Sequence, residues 1–295
     1  MPIKKRTKRR RTIMETSQTQ MVPFVERILL ATDCSVFSEG AEQEAIFFAQ
    51  ACNAELTILH IIEDNPEFST IGHETVREME VAARDHLEKI HKMAENEDIK
   101  AEIVIRHSDD PVEVINDEVL KRKIDIVITG RRGRRGLKKL LMGVVTEKVA
   151  SMVPCKTLIV PKDFVIEGEG VLLATDGSAH SEHAENEAIN MVSRCDYLKY
   201  ICVLSAAENE TSLEEAKKRV QRISQSLRVK NKKIAIESVA EIGDPCDLIV
   251  RKAREKKVDV IIVGTHGRTG LHRMLMGSVC SQLIAVSPCS VLITK

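Results

Sequence analysis

Short runs of apolar, mostly β-branched residues alternate along this chain with longer stretches whose apolar positions recur at helical spacing. The short runs lie at about 26–32, 56–62, 101–106, 124–129 and 156–160, and again at about 170–175, 198–205, 233–240, 258–263 and 289–294. Most are apolar at nearly every position instead of every second one, which predicts strands buried on both faces. Strands of that kind alternating with helices predict an α/β architecture, a parallel sheet with helices on each side. The helix starts agree. Pro111 and Pro245 stand at first-turn positions behind Asp110 and Asp244, both good N-caps.

The pattern is written twice. Arg27-Ile28-Leu29-Leu30-Ala31-Thr32-Asp33-Cys34-Ser35 is answered 143 positions later by Gly170-Val171-Leu172-Leu173-Ala174-Thr175-Asp176-Gly177-Ser178. The same offset carries Ala41, Glu44, Ala45, Ile46 and Cys52 onto Ala184, Glu187, Ala188, Ile189 and Cys195. Further on the offset drops to 134, placing Asp110-Pro111 on Asp244-Pro245 and Ile124-Asp125-Ile126-Val127-Ile128 on Val258-Asp259-Val260-Ile261-Ile262. An internal repeat of this length predicts two copies of one unit. The expected organisation is two tandem doubly wound, Rossmann-like domains, each with a five-stranded parallel sheet, at 23–162 and 168–295, joined by a short polar connection. At 295 residues the chain is long enough for two such cores.

Composition narrows the function classes. Hydrophobic content of 43% and charged content of 30% describe an ordinary globular protein. No apolar run approaches the roughly 20 residues of a membrane span, and the charged N-terminus lacks a secretory signal, so a cytoplasmic protein outside the membrane is expected. Zero net charge hides an asymmetry: seven of the 44 basic residues, Lys4, Lys5, Arg6, Lys8, Arg9, Arg10 and Arg11, crowd the start of the chain. A basic tail can bind nucleic acid. Residues 1–22 hold no aromatic side chain to stack on bases, so the expectation is a disordered extension, or a stretch before a true start at Met14 or Met21, rather than a nucleic-acid arm. The eight cysteines form no C-x-x-C pair and stand at no zinc-ligand spacing, which predicts reduced, structural thiols and no metal site.

In a doubly wound sheet ligands bind outside the carboxyl ends of the strands, where strand order reverses. Three segments of each copy leave strands there. One carries Asp33 or Asp176. One follows the second strand, around Ile61 in the first copy and 204–206 in the second. The third follows the fourth strand: Gly264-Thr265-His266-Gly267 and then Gly277-Ser278, with an altered twin at Gly130-Arg131-Arg132-Gly133 and Gly143-Val144. Glycines allow a tight turn that exposes amides to an anion. A helix opening at Gly277-Ser278 favours phosphate, and the serine hydroxyl adds one donor. Asp176 across the crevice suits a base amino group or a ribose hydroxyl. The spacing is neither a Walker A loop nor the G-x-G-x-x-G fingerprint.

With these residues in place, the chain resembles a tandem universal stress protein. The family pattern is Gly-x2-Gly-x9-Gly-Ser/Thr, and Gly264, Gly267, Gly277 and Ser278 satisfy it in full. The resemblance implies a fold of the adenine nucleotide alpha-hydrolase type and binding of ATP or another adenine nucleotide, with Mg2+ as an accompanying ion. It implies that Asp176 contacts the adenine end and that Gly264, Gly267, Gly277, Ser278 and Val279 hold ribose and phosphates. The corresponding positions of the first copy are Asp33, Ile61, Gly130, Gly133, Gly143 and Val144. There Val144 removes the hydroxyl, while Arg131, Arg132, Arg134, Arg135, Lys138 and Lys139 offer charge that either pairs with phosphate or forms a solvated basic surface. The second domain is therefore the expected nucleotide site.

A regulatory binding protein is the expected function, acting on an unknown protein partner. The alternatives are a ligand-independent interaction scaffold and a slow ATP hydrolase. His266 is the nearest candidate base, and its counterpart Arg132 is unfit for that task. The closing strands, at 157–160 and 290–294, are apolar edges that need cover. That predicts an intramolecular pseudo-dimer of the two domains, with a homodimer as a further step.

Overall fold

The computed structural model describes residues 25–63, 73–132, 143–195, 198–231, 233–265 and 276–295. The expected tail, Gly133, Gly267, His266 and most of the basic loop residues (Arg134, Arg135, Lys138, Lys139) lie outside those residues. The chain divides into two compact units, one of Val25–Asp163 and one that contains Phe164–Lys295.

The first domain runs β1 (Arg27–Ala31), α1 (Glu39–Cys52), β2 (Glu55–Glu63), α2 (His73–Glu95), β3 (Ala101–Ser108), α3 (Pro111–Arg122), β4 (Ile126–Gly130), α4 (Val144–Met152) and β5 (Lys156–Val160). The second repeats that order as β6 (Gly170–Ala174), α5 (Ala179–Arg194), β7 (Tyr200–Ala207), α6 (Glu210–Lys230), β8 (Ala235–Ile242), α7 (Pro245–Lys256), β9 (Val260–Gly264), α8 (Ser278–Val286) and β10 (Ser290–Thr294). Within the first domain the strands lie in the order β3-β2-β1-β4-β5, and within the second β8-β7-β6-β9-β10. Every one of these pairings is parallel. Strand order therefore reverses between β1 and β4, and between β6 and β9, as a doubly wound sheet requires.

The central strands are continuous apolar runs because both faces are covered. Ile28, Leu29 and Leu30 of β1 are fully buried, and so are Leu172 and Leu173 of β6. Helix α1 packs with α2, and α3 with α4. Leu29, Leu59 and Val127 of the sheet meet Val112, Ile115 and Val119 of α3 and Val149 of α4 in one cluster. The equivalent cluster of the second domain joins Leu172, Leu204 and Ile261 to Ile249 of α7 and Leu283 of α8.

Local signals set the helix ends. Asp110 Oδ1 accepts the amides of Val112 at 3.0 Å and Glu113 at 3.2 Å. Asp244 Oδ1 accepts that of Asp247 at 3.0 Å, and proline follows each aspartate in the first turn. A second repeated device fixes where the first strand of each domain begins. Asp125 Oδ2 accepts the amides of Glu26 and Arg27, both at 2.9 Å. Asp259 takes those of Glu167, Glu169 and Gly170 at 3.0, 2.9 and 3.0 Å. Burial pushes the Asp259 carboxyl above the ordinary aspartate range, against the pull of its three amide bonds.

The outer strands carry charge that discourages edge pairing. Glu118 of α3 lies between Arg106 of β3 and Arg122, at 2.6 Å from each. Burial raises its pKa, but the bonds to Arg122 and Arg106 outweigh it and hold the carboxyl below the usual range. On β8, Glu237 takes Lys256 at 2.6 Å and the Tyr200 hydroxyl at 2.5 Å. Among the described residues no helix is long and apolar enough to cross a membrane. All eight cysteines are reduced, six of them buried.

Candidate functional site

Both domains bring the aspartate turn after their first strand beside the glycine that ends their fourth. In the second domain a Cβ on Gly264 would lie 2.4 Å from the His180 carbonyl oxygen, and in the first a Cβ on Gly130 would lie 3.0 Å from that of Phe37. Phe37 and His180 are equivalent residues at the repeat offset of 143. Among the described residues, the glycines with left-handed backbone are Gly168, Gly177 and Gly243. Gly130 and Gly264 thus serve close approach, a role that the sequence did not indicate. A side chain there would wedge the aspartate turn away from the strand end.

The glycine loop is closed in the same way in each domain. Gly277 donates its amide to the Thr265 carbonyl at 3.0 Å, and Gly143 donates to that of Arg131 at 3.0 Å. The helix opens at the next residue. In α8 the first amide with an acceptor one turn back is Ser281, bonded to Gly277 at 3.0 Å, and in α4 it is Glu147, bonded to Gly143 at 3.1 Å. The amides of residues 278–280 and 144–146 therefore belong to the first turn, where a helix attracts anions. Val279 also packs against the core cluster and anchors that turn.

The two first turns differ chemically. Helix α8 has no acidic residue there, whereas α4 carries Glu147. The position of Glu147 is Ser281 in the second domain. A carboxylate at a helix N-terminus satisfies the dipole itself and repels a second anion. Val144, standing where Ser278 does, is 61% exposed, so its apolar surface faces outward at the point where the second domain presents a hydroxyl.

The aspartates differ as well. Asp176 Oδ1 accepts the amide of Ser178 at 3.0 Å, an Asx turn. Asp33 Oδ1 accepts the equivalent amide of Ser35 at 3.1 Å and, in addition, the Ser38 hydroxyl at 2.6 Å. The matching serine of the second domain, Ser181, turns its hydroxyl to the Ser178 carbonyl at 2.9 Å instead. The Ser38 hydroxyl thus reaches Asp33, whereas the hydroxyl of its repeat partner Ser181 turns to the Ser178 carbonyl.

At the end of the second strand, Ile61 is half-buried against the cluster formed by Leu59, Val104 and Val112. Its counterpart region in the second domain holds Ser205, fully buried, whose Oγ takes the Arg219 guanidinium at 2.7 Å. That guanidinium lies against Gly177, where a Cβ would meet Nε at 2.3 Å. Sequence reasoning did not single out Arg219 or Glu147. Glu147 was readable as an acid in the first turn of a helix, while Arg219 had no local signal, being brought to Gly177 only by packing of α6.

Comparison with known proteins bears on the family and the fold. The model of the universal stress protein family matches twice, over residues 25–161 and 169–295. Universal stress protein MJ0531 of Methanocaldococcus jannaschii is 34% identical over 142 residues, covering 42% of this chain and 81% of that protein. The crystal structure of a universal stress protein from Archaeoglobus fulgidus DSM 4304 superposes with a TM-score of 0.74 at 23% identity, covering 91% of this chain and 96% of that one. Protein PA1789 from Pseudomonas aeruginosa PAO1, of unknown function, gives a TM-score of 0.66 at 17% identity over 92% of this chain and 93% of its own. Two family matches that together span most of the sequence place the chain in the universal stress protein family, with two of its domains in tandem.

Proposed function

We propose that this protein is a regulatory binder of an adenine nucleotide, ATP in the first instance, and that its second domain is the better site. The observation that carries the reading is the meeting of three parts in that domain. Gly264 admits the Asp176 turn, the Gly277–Thr265 bond closes the loop, and α8 opens there with Ser278 and an acid-free first turn. Asp176 suits the base end, while Gly264, Gly277, Ser278 and Val279 suit ribose and phosphates. Mg2+ would accompany the phosphates as a counter-ion. The role is binding, with a protein partner that reads the occupied state, and not turnover.

Equilibrium binding of ATP to the full chain tests this. Gly277→Val is expected to abolish most of the affinity and Gly143→Val to change little. Unchanged affinity in both variants would overturn the pocket assignment. Steady-state hydrolysis that disappears in His266→Ala would instead make the protein a slow ATPase. For the first domain a second reading is favoured by the exposed Val144 and by Glu147. Its equivalent loop serves as a protein-contact surface without nucleotide.

A further inference from the structure

Behind each aspartate turn lies a buried carboxylate that the nucleotide reading leaves unused. Glu42 on α1 and Glu185 on α5 are both 6% exposed and are related by the repeat. The Thr32 hydroxyl donates to Glu42 Oε1 at 2.6 Å, and the Thr175 hydroxyl donates to Glu185 Oε1 at 2.7 Å. Each threonine oxygen in turn accepts the amide just past the aspartate, Cys34 at 3.0 Å and Gly177 at 3.2 Å. A carboxylate, a hydroxyl and an amide thus run in series from helix to turn. Such a chain fixes the backbone on either side of Asp33 and Asp176, since every link is charge-assisted or polarised by the next.

A buried carboxylate needs a partner, and here the domains part. In the second, Arg222 Nη2 reaches Glu185 Oε2 at 3.1 Å. In the first, His86 Nε2 lies 3.0 Å from both oxygens of Glu42. A guanidinium keeps its charge at every physiological pH, whereas an imidazole gains and loses it between about pH 5 and 8.

We propose that Glu42 and Glu185 are positioning residues for the Asp33 and Asp176 turns, and that His86 makes the first turn responsive to pH where Arg222 makes the second indifferent to it. The proposal rests on the reading of these turns as the base end of a nucleotide site. An imidazolium at this place would make the pair with Glu42 ionic, whereas a neutral imidazole leaves one hydrogen bond to a charged carboxylate. His86 and Thr32 share Glu42 Oε1, so a change of charge on the imidazole alters the Thr32 link and, through it, the Cys34 amide.

Other titratable groups sit on α2 and on the strands packed against it. From β2, His60 bonds through Nδ1 to the Thr32 carbonyl at 2.9 Å. From β3, His107 pairs with Glu80 of α2 at 3.3 Å. Along α2 itself Asp85 is adjacent and Lys89 lies one turn on. His60 touches the same turn, so the test must separate the two histidines.

Amide and imidazole resonances of the full-length protein, without nucleotide, are followed by NMR from about pH 5 to 8. The Cys34 and Ser35 amides are expected to shift in one step that shares the midpoint of His86, while the Gly177 and Ser178 amides show no step that Arg222→Ala alters, any change there following His180 instead. His86→Arg should remove the step and hold the turn in its low-pH position. Glu42→Gln should remove it as well, and Glu42→Asp should restore part of it. Static Cys34 and Ser35 amides while His86 titrates would overturn the proposal, as would the same step persisting in His86→Arg, which would assign it to His60. No nucleotide enters this measurement, so a chain that binds no ATP would fail the functional reading and still decide this one.

Discussion

The two glycine loops of this chain are built on one plan and finished differently. In the second domain Ser278 and Ser281 occupy the first turn of α8; in the first, Val144 and Glu147 occupy the same places in α4. The backbone device that closes each loop is the same, a bond of 3.0 Å from the closing glycine to the residue after the strand. What separates the two is therefore local chemistry on a common scaffold. If the second domain holds an anion there, removing one hydroxyl and adding one carboxylate would unmake the site with the fold left as it was.

The largest effect expected from this comparison comes from the glycines under the turns. Gly264→Ala puts a methyl 2.4 Å from a backbone carbonyl, which only a shift of the turn relieves, while Gly130→Ala meets its carbonyl at 3.0 Å. Overpacking costs about 1–3 kcal/mol, so we expect Gly264→Ala near the top of that range and Gly130→Ala near the bottom. The two tyrosines, Tyr197 and Tyr200, both lie in the second domain. Tyrosine fluorescence in urea therefore follows that domain, and hydrogen exchange read by mass spectrometry follows the first. ATP binding should be lost in Gly264→Ala alone. Equal destabilisation of the two domains would show that the tighter approach in the second has no energetic meaning.

Much of this scaffold was legible in the sequence. The apolar runs located every strand to within about two residues, because strands buried on both faces leave an unbroken apolar signature. The repeat then fixed the helix starts twice over, at Asp110-Pro111 and Asp244-Pro245. The reason for Gly130 and Gly264 was not legible, since close approach depends on Phe37 and His180, residues far away in the chain. Arg219 and the Glu42–His86 pair were hidden for the same reason. Each joins two elements whose contact is set by packing and leaves no mark on the local pattern. Glu42 and Glu185 did match at the repeat offset, but identity alone does not distinguish a buried carboxylate from a solvated one.

Exchanging the hydroxyl is the next step down. A hydrogen bond to a charged group contributes about 1.5–3 kcal/mol, roughly a 10- to 150-fold change in affinity. Ser278→Val in the second domain should weaken ATP by an amount within that range, measured by calorimetry on the full chain. Replacing the carboxylate moves less. Ser281→Glu should weaken ATP by about two- to fivefold, the size of a charge at a helix terminus, and the loss should shrink as salt is raised. The converse double change in the first domain, Val144→Ser with Glu147→Ser, should create measurable binding in a Gly277→Val background. If it creates none, the difference between the domains lies outside these two positions.

The smallest effect concerns the turn itself. Cys34 adopts φ 57° where its counterpart Gly177 adopts φ 76°, so the first domain places a side chain in the left-handed region and the second does not. That conformation costs a non-glycine residue about 1–2 kcal/mol. Glycine relieves it but forfeits about 0.5–1 kcal/mol in unfolded-chain entropy. Cys34→Gly also gives up a thiol contact with His60 Nδ1 at 3.5 Å, long enough to count for little. The balance is a gain of about 0.5 kcal/mol in the first domain, seen as slower exchange of its core amides with tyrosine fluorescence unchanged. A loss in its place would mean that the Cys34–His60 contact outweighs the backbone strain, and that the first domain keeps its cysteine for the sake of that pair.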